Sequence, residues 1–124
     1  MGPAKTVLIV EDHEDFRELL AETLRLEGWT TVTASDSDDA VRVARTTKVH
    51  VVVADIRIPP TSGPALERTF RADPSLTTIP FVFMTGWAPH LDEVGHHRGF
   101  LKPFEVSELC KRLDLFIDAE DTPG

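Results

Sequence analysis

Short apolar segments alternate with amphipathic segments along this chain. Continuous apolar runs such as LIV and VVVA are typical of strands covered on both faces, as in a parallel sheet. The pattern therefore predicts a series of buried strands. The segments concerned are TVLIV (6–10), TTVTA (30–34), VHVVVA (49–54), IPFVFM (79–84) and GFL (99–101).

The segments between these strands have helical spacing. Apolar positions from Phe16 to Leu24 follow i, i+3, i+4, i+7, and Gly28 is placed to end that helix. The same spacing recurs from Val106 to Ile117 and puts Cys110 on the buried stripe, where we interpret it as a core residue.

Three further segments lie between the remaining strands. Residues 37–46 and 64–72 predict shorter helices. The segment 87–98 is the weakest helix candidate, because it contains Pro89 and Gly95.

The order of these elements is β-α-β-α-β-α-β-α-β. It predicts an α/β fold with a doubly wound five-stranded parallel sheet, for which we take the flavodoxin-like strand order 2-1-3-4-5. In such sheets ligands bind beyond the carboxyl ends of the strands, at the point where the strand order reverses. The residues at the strand ends are therefore the candidates for chemistry.

Length and charge narrow the range of functions. The 124 residues suit one domain, with a core at about 5–118 and a frayed tail after it. The net charge of −8 argues against nucleic-acid binding. No segment resembles a membrane span or a signal peptide, and the single cysteine allows no disulfide framework, so we expect a cytoplasmic location.

Carboxylates gather at the predicted strand ends. Strand one ends on Glu11-Asp12 and strand three on Asp55, and these strands are neighbours in the predicted order. Unneutralised acids there would repel one another, and an all-oxygen ligand set suits Mg²⁺. The Arg57 backbone carbonyl could complete the site. Adjacent side chains point in different directions, so Glu11 is a weaker candidate than Asp12 for direct ligation.

Strands four and five end on Thr85 and Lys102. A carboxylate beside Mg²⁺, faced by a hydroxyl and an ammonium, is an arrangement that accepts a phosphoryl group. Asp55 would be the nucleophile, and Lys102 and Thr85 would hold the phosphoryl oxygens. His13, next to the acids, is interpreted as a solvent-facing residue of the first helical turn.

Four motifs resemble those of the receiver domains of two-component response regulators, the CheY-like family. They are VLIVEDHEDF, DIRIPPTSG, VFMTG and FLKPF, and the resemblance runs over about residues 5–118. It implies Glu11 and Asp12 as metal-site acids, Asp55 as the phosphorylated residue, Thr85 as the switch threonine and Lys102 as the family's lysine. It also implies a cis Lys102-Pro103 peptide bond.

The resemblance implies a signalling domain rather than an enzyme. A sensor histidine kinase or a histidine phosphotransfer domain would donate the phosphoryl group, with Mg²⁺ as cofactor, and an unknown downstream protein would be the target. No nucleic acid or membrane is expected to bind this domain. Whether the chain is stand-alone or part of a longer regulator stays open. Trp87 and Arg57 would flank the pocket and tune the lifetime of the phosphoryl group.

One position departs from the family pattern. The resemblance implies a switch aromatic three residues before the lysine, and Gly99 stands there. Strand alternation puts Phe100 on the side of Lys102, which predicts a core residue. We therefore expect phosphorylation to be read out by reordering of residues 87–98.

Three other interpretations share part of this pattern. A haloacid-dehalogenase-type phosphatase needs a second acid two positions after the nucleophile, where this chain has Arg57. A flavodoxin-type cofactor binder needs a phosphate loop after strand one, where EDHED would repel a phosphate. A degenerate receiver, acting as a phosphorylation-independent interaction module, usually lacks one of the acids or the lysine.

Overall fold

A computed structural model describes residues 5–121, without the side chains of residues 118–121. The predicted tail begins after residue 118; residues up to 121 continue the last helix, and residues 122–124 lie outside the described residues. Within residues 5–121, no helix is both long and apolar enough to cross a membrane. The elements, in chain order, are β1 (Thr6–Val10), α1 (Glu14–Leu26), β2 (Thr30–Ala34), α2 (Ser37–Thr46), β3 (Val51–Asp55), β4 (Arg57–Ile58), β5 (Thr61–Ser62), α3 (Gly63–Ala72), β6 (Phe81–Thr85), α4 (His90–Val94), β7 (Gly99–Leu101) and α5 (Val106–Asp121).

The five predicted strands form one parallel sheet in the order β2-β1-β3-β6-β7, which confirms the predicted order. The residues of β1 and the first four of β3 are buried, as continuous apolar runs predict for strands covered on both faces. β4 and β5 form a separate short antiparallel hairpin after β3. The hairpin contains a cis Pro59-Pro60 peptide bond.

Helices cover both faces of the sheet. On one face, Ala40 of α2 and Phe70 of α3 pack in a cluster with Leu8 and Phe83 of the strands. On the other face, Leu24 of α1 and Leu113 of α5 belong to a second cluster. Cys110 lies at the border of this second cluster, half-buried, and burial raises the pKa of its thiol, as fits a core cysteine.

Side-chain hydrogen bonds cap the first turns of three helices. The Asp36 side chain accepts a hydrogen bond from the Asp39 N–H at 2.7 Å, and the Ser62 hydroxyl accepts one from the Ala65 N–H at 3.2 Å. His13 caps α1 in the same way through Phe16 N–H and is exposed, which confirms the expectation of a solvent-facing residue.

The segment 87–98 folds as the sequence suggested. Only His90–Val94 is α-helical, and a 3₁₀ turn at His96–Arg98 leads into β7. Gly95 between them has φ of 91°, a conformation that side chains with a Cβ rarely adopt. Phe100 is buried in the core while Leu101 is exposed, as strand alternation predicted.

Candidate functional site

The ends of the central strands meet at one edge of the sheet. β1 and β3 are direct neighbours, with Val10 paired to Ala54, and β3 pairs with β6. An open cavity of about 750 Å³ lies beyond these ends. Its lining residues are Asp12, Asp55, Arg57, Pro59, Thr85, Gly86, Trp87 and His90.

Asp55 is the last residue of β3 and its side chain is 13% exposed. Its Oδ1 accepts a hydrogen bond from the Arg57 N–H at 2.9 Å, and its Oδ2 accepts one from Lys102 Nζ at 2.6 Å. Both carboxylate oxygens are thus oriented before any ligand binds.

The turn after Asp55 requires a glycine at position 63, shortly after Pro59 and Pro60. The Gly63 N–H donates to the Ile56 carbonyl at 2.8 Å, which closes the turn after Asp55. A Cβ at position 63 would lie 2.6 Å from the Asp55 carbonyl oxygen and 3.0 Å from the Phe83 ring. The start of α3 can approach the end of β3 only because this residue has no side chain.

Lys102 joins two acids that are distant in sequence. Its Nζ lies 2.6 Å from Asp55 Oδ2 and 3.0 Å from Glu11 Oε2, and it sits over the Phe16 ring at 4.5 Å from the centroid. Burial alone would lower the Lys102 pKa, but the hydrogen bonds to the two carboxylates outweigh it, and the pKa lies above its usual value.

The backbone around Lys102 is fixed as well. Its N–H donates to the Thr85 carbonyl at 2.7 Å, and the Lys102-Pro103 bond is cis, as predicted.

Glu11 lies behind the cavity rather than in its lining. It is 2% exposed, and its Oε1 also accepts a hydrogen bond from the His13 N–H at 3.1 Å. Burial raises the pKa of the Glu11 carboxyl, and so does the neighbouring Asp55 carboxylate, while Lys102 acts in the opposite direction. The pKa of Glu11 therefore lies above its ordinary value, with burial as the main cause.

Thr85 is the last residue of β6; it is buried and lines the cavity. Its Oγ1 accepts a hydrogen bond from the Trp87 N–H at 3.1 Å and lies 2.7 Å from His90 Nδ1. Sequence reasoning missed His90, since it stands in the short α4 where no clear periodicity predicted its orientation. The one signal in the sequence was a histidine five residues after the predicted switch threonine.

The donor set fits Mg²⁺. Asp12 and Asp55 place two carboxylates at the cavity, and Mg²⁺ in proteins usually takes one or two carboxylates and completes its shell with carbonyls and water. Among residues 5–121, no group of three or more His, Cys, Asp or Glu side chains is assembled as a metal site. This geometry favours a water-rich Mg²⁺ site over a closed cage of protein ligands.

Comparison with known proteins agrees with this geometry. The family model described as the response regulator receiver domain matches residues 7–114. The chain belongs to the response regulator receiver family.

Curated relatives of this receiver domain are transcriptional regulators. The probable transcriptional regulatory protein TcrX of Mycobacterium tuberculosis is 32% identical over 122 residues, which cover 94% of this chain and 51% of TcrX. The phosphate regulon transcriptional regulatory protein PhoB of Pseudomonas aeruginosa is 32% identical over 118 residues, which cover 91% of this chain and 52% of PhoB. The chain thus spans about half the length of the curated relatives it matches.

Solved structures have the same fold. A CheY-like receiver domain from Methylobacillus flagellatus has a TM-score of 0.82 at 27% identity and covers 92% of this chain and 99% of its own. TrrA of Thermotoga maritima, solved in complex with Mg²⁺-BeF, has a TM-score of 0.79 at 23% identity, with coverages of 90% and 98%.

Proposed function

We propose that this receiver domain accepts a phosphoryl group on Asp55 and thereby switches its binding to a partner protein. The observation that carries the proposal is the convergence on one cavity of Asp55, Asp12 and Thr85, with the Lys102 ammonium 2.6 Å from Asp55. A nucleophile, a metal-binding acid, a hydroxyl donor and a cation are the groups that phosphoryl transfer to a carboxylate needs.

In the proposed step, an Asp55 oxygen attacks the phosphorus of a phosphohistidine. The new P–O bond forms as the P–N bond breaks, and the departing imidazole keeps the bonding electron pair and takes up a proton. Lys102 transfers its hydrogen bond from the carboxylate to a phosphoryl oxygen, and the Thr85 hydroxyl donates to another. Hydrolysis of the resulting acyl phosphate restores the Asp55 carboxylate.

Asp12 and Asp55, with the Arg57 carbonyl, would hold Mg²⁺. Glu11, as a metal-site acid outside the cavity lining, would add negative charge from behind the cavity. When bound, the ion neutralises negative charge on the phosphoryl oxygens. The gathering of Asp12, Asp55 and Glu11 at this edge of the sheet, with one ammonium between Asp55 and Glu11, supports a further cation there.

The donor would be a sensor histidine kinase or a histidine phosphotransfer domain, and the target a downstream protein in the cytoplasm. Any output beyond the receiver is open, since this chain corresponds to about half of regulators such as PhoB. A degenerate receiver that binds partners without phosphorylation is the alternative. It is disfavoured because the acids, the hydroxyl and the lysine are all present.

The proposal is tested by mass spectrometry of the intact protein after incubation with acetyl phosphate and Mg²⁺. We expect an acid-stable, alkali-labile gain of about 80 Da, one phosphoryl group, in the wild type. Asp55→Asn should show no gain, and Asp114→Asn, on exposed α5, should behave as wild type. No gain in the wild type would favour the degenerate alternative, and a gain in Asp55→Asn would place the acceptor elsewhere.

A further inference from the structure

The Thr85 hydroxyl already has a partner in the unphosphorylated protein. His90 Nδ1 lies 2.7 Å from Thr85 Oγ1, a normal distance for a strong hydrogen bond. The His90 ring is itself fixed, since it packs edge-on against the Trp87 ring at 4.8 Å between centroids. Its backbone N–H donates to the Trp87 carbonyl at 3.0 Å.

Two acceptors lie near the proton of the Thr85 hydroxyl, His90 Nδ1 and the Trp87 carbonyl. A threonine hydroxyl has one proton to donate and two lone pairs. The Trp87 N–H already donates to Oγ1 at 3.1 Å, and the Trp87 carbonyl is a poor acceptor for the hydroxyl at 3.4 Å. With the hydroxyl proton on His90 Nδ1, the nearer of the two acceptors at 2.7 Å, the imidazole is neutral and carries its own proton on Nε2.

The same proton is the one that a phosphoryl oxygen on Asp55 would need. While neutral His90 accepts it, Thr85 cannot donate into the cavity. An imidazolium has N–H groups at both ring positions, so Nδ1 would instead donate to Oγ1 and the hydroxyl proton would be released.

We propose that His90 is a positioning residue that withholds the Thr85 proton from the phosphoryl group when neutral and releases it when protonated. The proposal rests on the proposed phosphorylation of Asp55. It makes phosphoryl binding tighter when His90 is protonated at both ring nitrogens than when it is neutral.

Other titratable groups share the surroundings of His90. Asp12, Asp55 and Arg57 line the main cavity with it, and a neighbouring cavity adds Glu93 of the same helix. A pH effect of these groups would be common to the wild type and to any His90 variant. The difference between the two proteins therefore isolates the imidazole.

The test measures the affinity of Mg²⁺-dependent beryllofluoride, a phosphoryl mimic, by titration calorimetry at pH 6 and pH 8. The wild type should bind more tightly at pH 6 than at pH 8. The ratio of its affinities at the two pH values should exceed the same ratio for His90→Asn by about three- to tenfold, as expected for one net hydrogen bond. His90→Asn keeps an amide near the Nδ1 position but does not titrate. His97→Asn, an exposed histidine of the adjacent 3₁₀ turn, should match the wild type.

His90→Leu separates proton release from simple charge attraction. Without an acceptor, the Thr85 proton is free at both pH values, so this variant should bind at pH 8 about as tightly as the wild type does at pH 6. If His90 acted only by its positive charge, His90→Leu would instead bind weakly at both. Thermal unfolding of each variant confirms that α4 and the site remain folded.

A long-range ¹H–¹⁵N spectrum at pH 8 gives an independent readout, and the His90 ring should show the Nε2–H tautomer. The Nδ1–H tautomer would overturn the proposal, and so would equal pH dependence in the wild type and His90→Asn. Failure of the mimic to bind the wild type at either pH would instead refute the proposed phosphoryl site, and the inference with it.

Discussion

The Lys102 ammonium lies 2.6 Å from the Asp55 carboxylate, although 47 residues separate them in the chain. The ammonium also contacts Glu11, which is 91 residues away. The contacts hold the ends of β1, β3 and β7 together around one cation. Because the Glu11 side chain is nearly fully buried, this cation is central to the electrostatics of the site.

Removing that cation should destabilise the protein. Lys102→Met leaves two carboxylates without their cation, and we expect the free energy of unfolding to fall by about 1–3 kcal/mol, less than for a fully buried pair because Lys102 is partly exposed. Urea unfolding in the absence of Mg²⁺ measures this. Lys111→Met, which removes an exposed ion pair with Glu108, should change it by no more than about 0.5 kcal/mol.

The pH dependence of the Lys102 effect has a defined sign. Its folded pKa is raised, so the stabilisation is complete below the ordinary lysine value of 10.5 and is lost as the pH rises through the folded pKa. The stability difference between wild type and Lys102→Met should therefore be constant near neutral pH and shrink only above about 10.5. A difference that shrinks between pH 7 and 9 would contradict this.

Glu11 should show the opposite behaviour. Because burial and Asp55 raise its folded pKa, ionised Glu11 costs stability at neutral pH, and the wild type regains that stability as the pH falls through the folded pKa toward 4.5. Glu11→Gln does not titrate at this position, so without Mg²⁺ the stability of the wild type relative to this variant should rise as the pH falls from 7 toward 4.5. A relative stability that stays constant or falls on acidification, followed by urea unfolding, would contradict the raised pKa.

Mg²⁺ should raise the thermal stability of the wild type, because a ligand that binds only the folded state stabilises it by mass action. At a concentration 100-fold above Kd, the gain is about 2.7 kcal/mol. Asp12→Ala should remove most of this gain, whereas Asp114→Ala, on exposed α5, should retain it. Calorimetric scans with and without Mg²⁺ decide it, and an unchanged shift in Asp12→Ala would mean that the ion binds elsewhere.

Gly63 gives a purely steric prediction. Gly63→Ala puts a Cβ against the Asp55 carbonyl, and relief requires the backbone to move, so we expect a loss of about 1–3 kcal/mol in the free energy of unfolding. Gly86→Ala is the matched control, since a Cβ at that position would have no atom within 4 Å and the φ of Gly86 is not positive. Equal stability of the two variants would show that the turn after Asp55 tolerates displacement.

The sequence predicted the parts of this site that lie at strand ends. Asp55, Thr85 and Lys102 could be located because apolar runs mark buried strands, and parallel strands bring their carboxyl ends to one edge. Two features were beyond that reasoning. The first is where the Glu11 side chain lies: the sequence indicated that it points away from that of Asp12, but not that it is buried behind the cavity, because the direction of a side chain just after a strand depends on the turn that follows.

The contact between His90 and Thr85 was the second unpredicted feature. α4 spans only His90–Val94, too short for hydrophobic periodicity to reveal which way its side chains point. Its orientation is set by tertiary contacts, including Val94 in the core and the Arg98 guanidinium, which donates to the Val94 carbonyl at 2.8 Å.

The packing of α4 indicates how phosphorylation would be transmitted from Thr85. A Cβ on Gly99 would lie 2.7 Å from a Leu91 methyl group and 3.4 Å from Val94, so α4 packs against the space where the family resemblance implies a switch aromatic. Phe100 is already buried beside Phe104, at 5.5 Å between ring centroids, and cannot report by moving inward. α4 also provides His90, the partner of the Thr85 hydroxyl.

A movement of Thr85 toward a phosphoryl group should therefore be transmitted to α4 and the 3₁₀ turn. We expect beryllofluoride with Mg²⁺ to change amide hydrogen exchange across residues 87–98 by about tenfold or more, since short helices with few buried contacts open locally. Residues 37–46 of α2, outside the cavity lining, serve as the internal control and should not change. Unchanged exchange across 87–98 while the mimic is bound would contradict this readout and would leave the exposed Leu101 edge of β7 as the surface to examine.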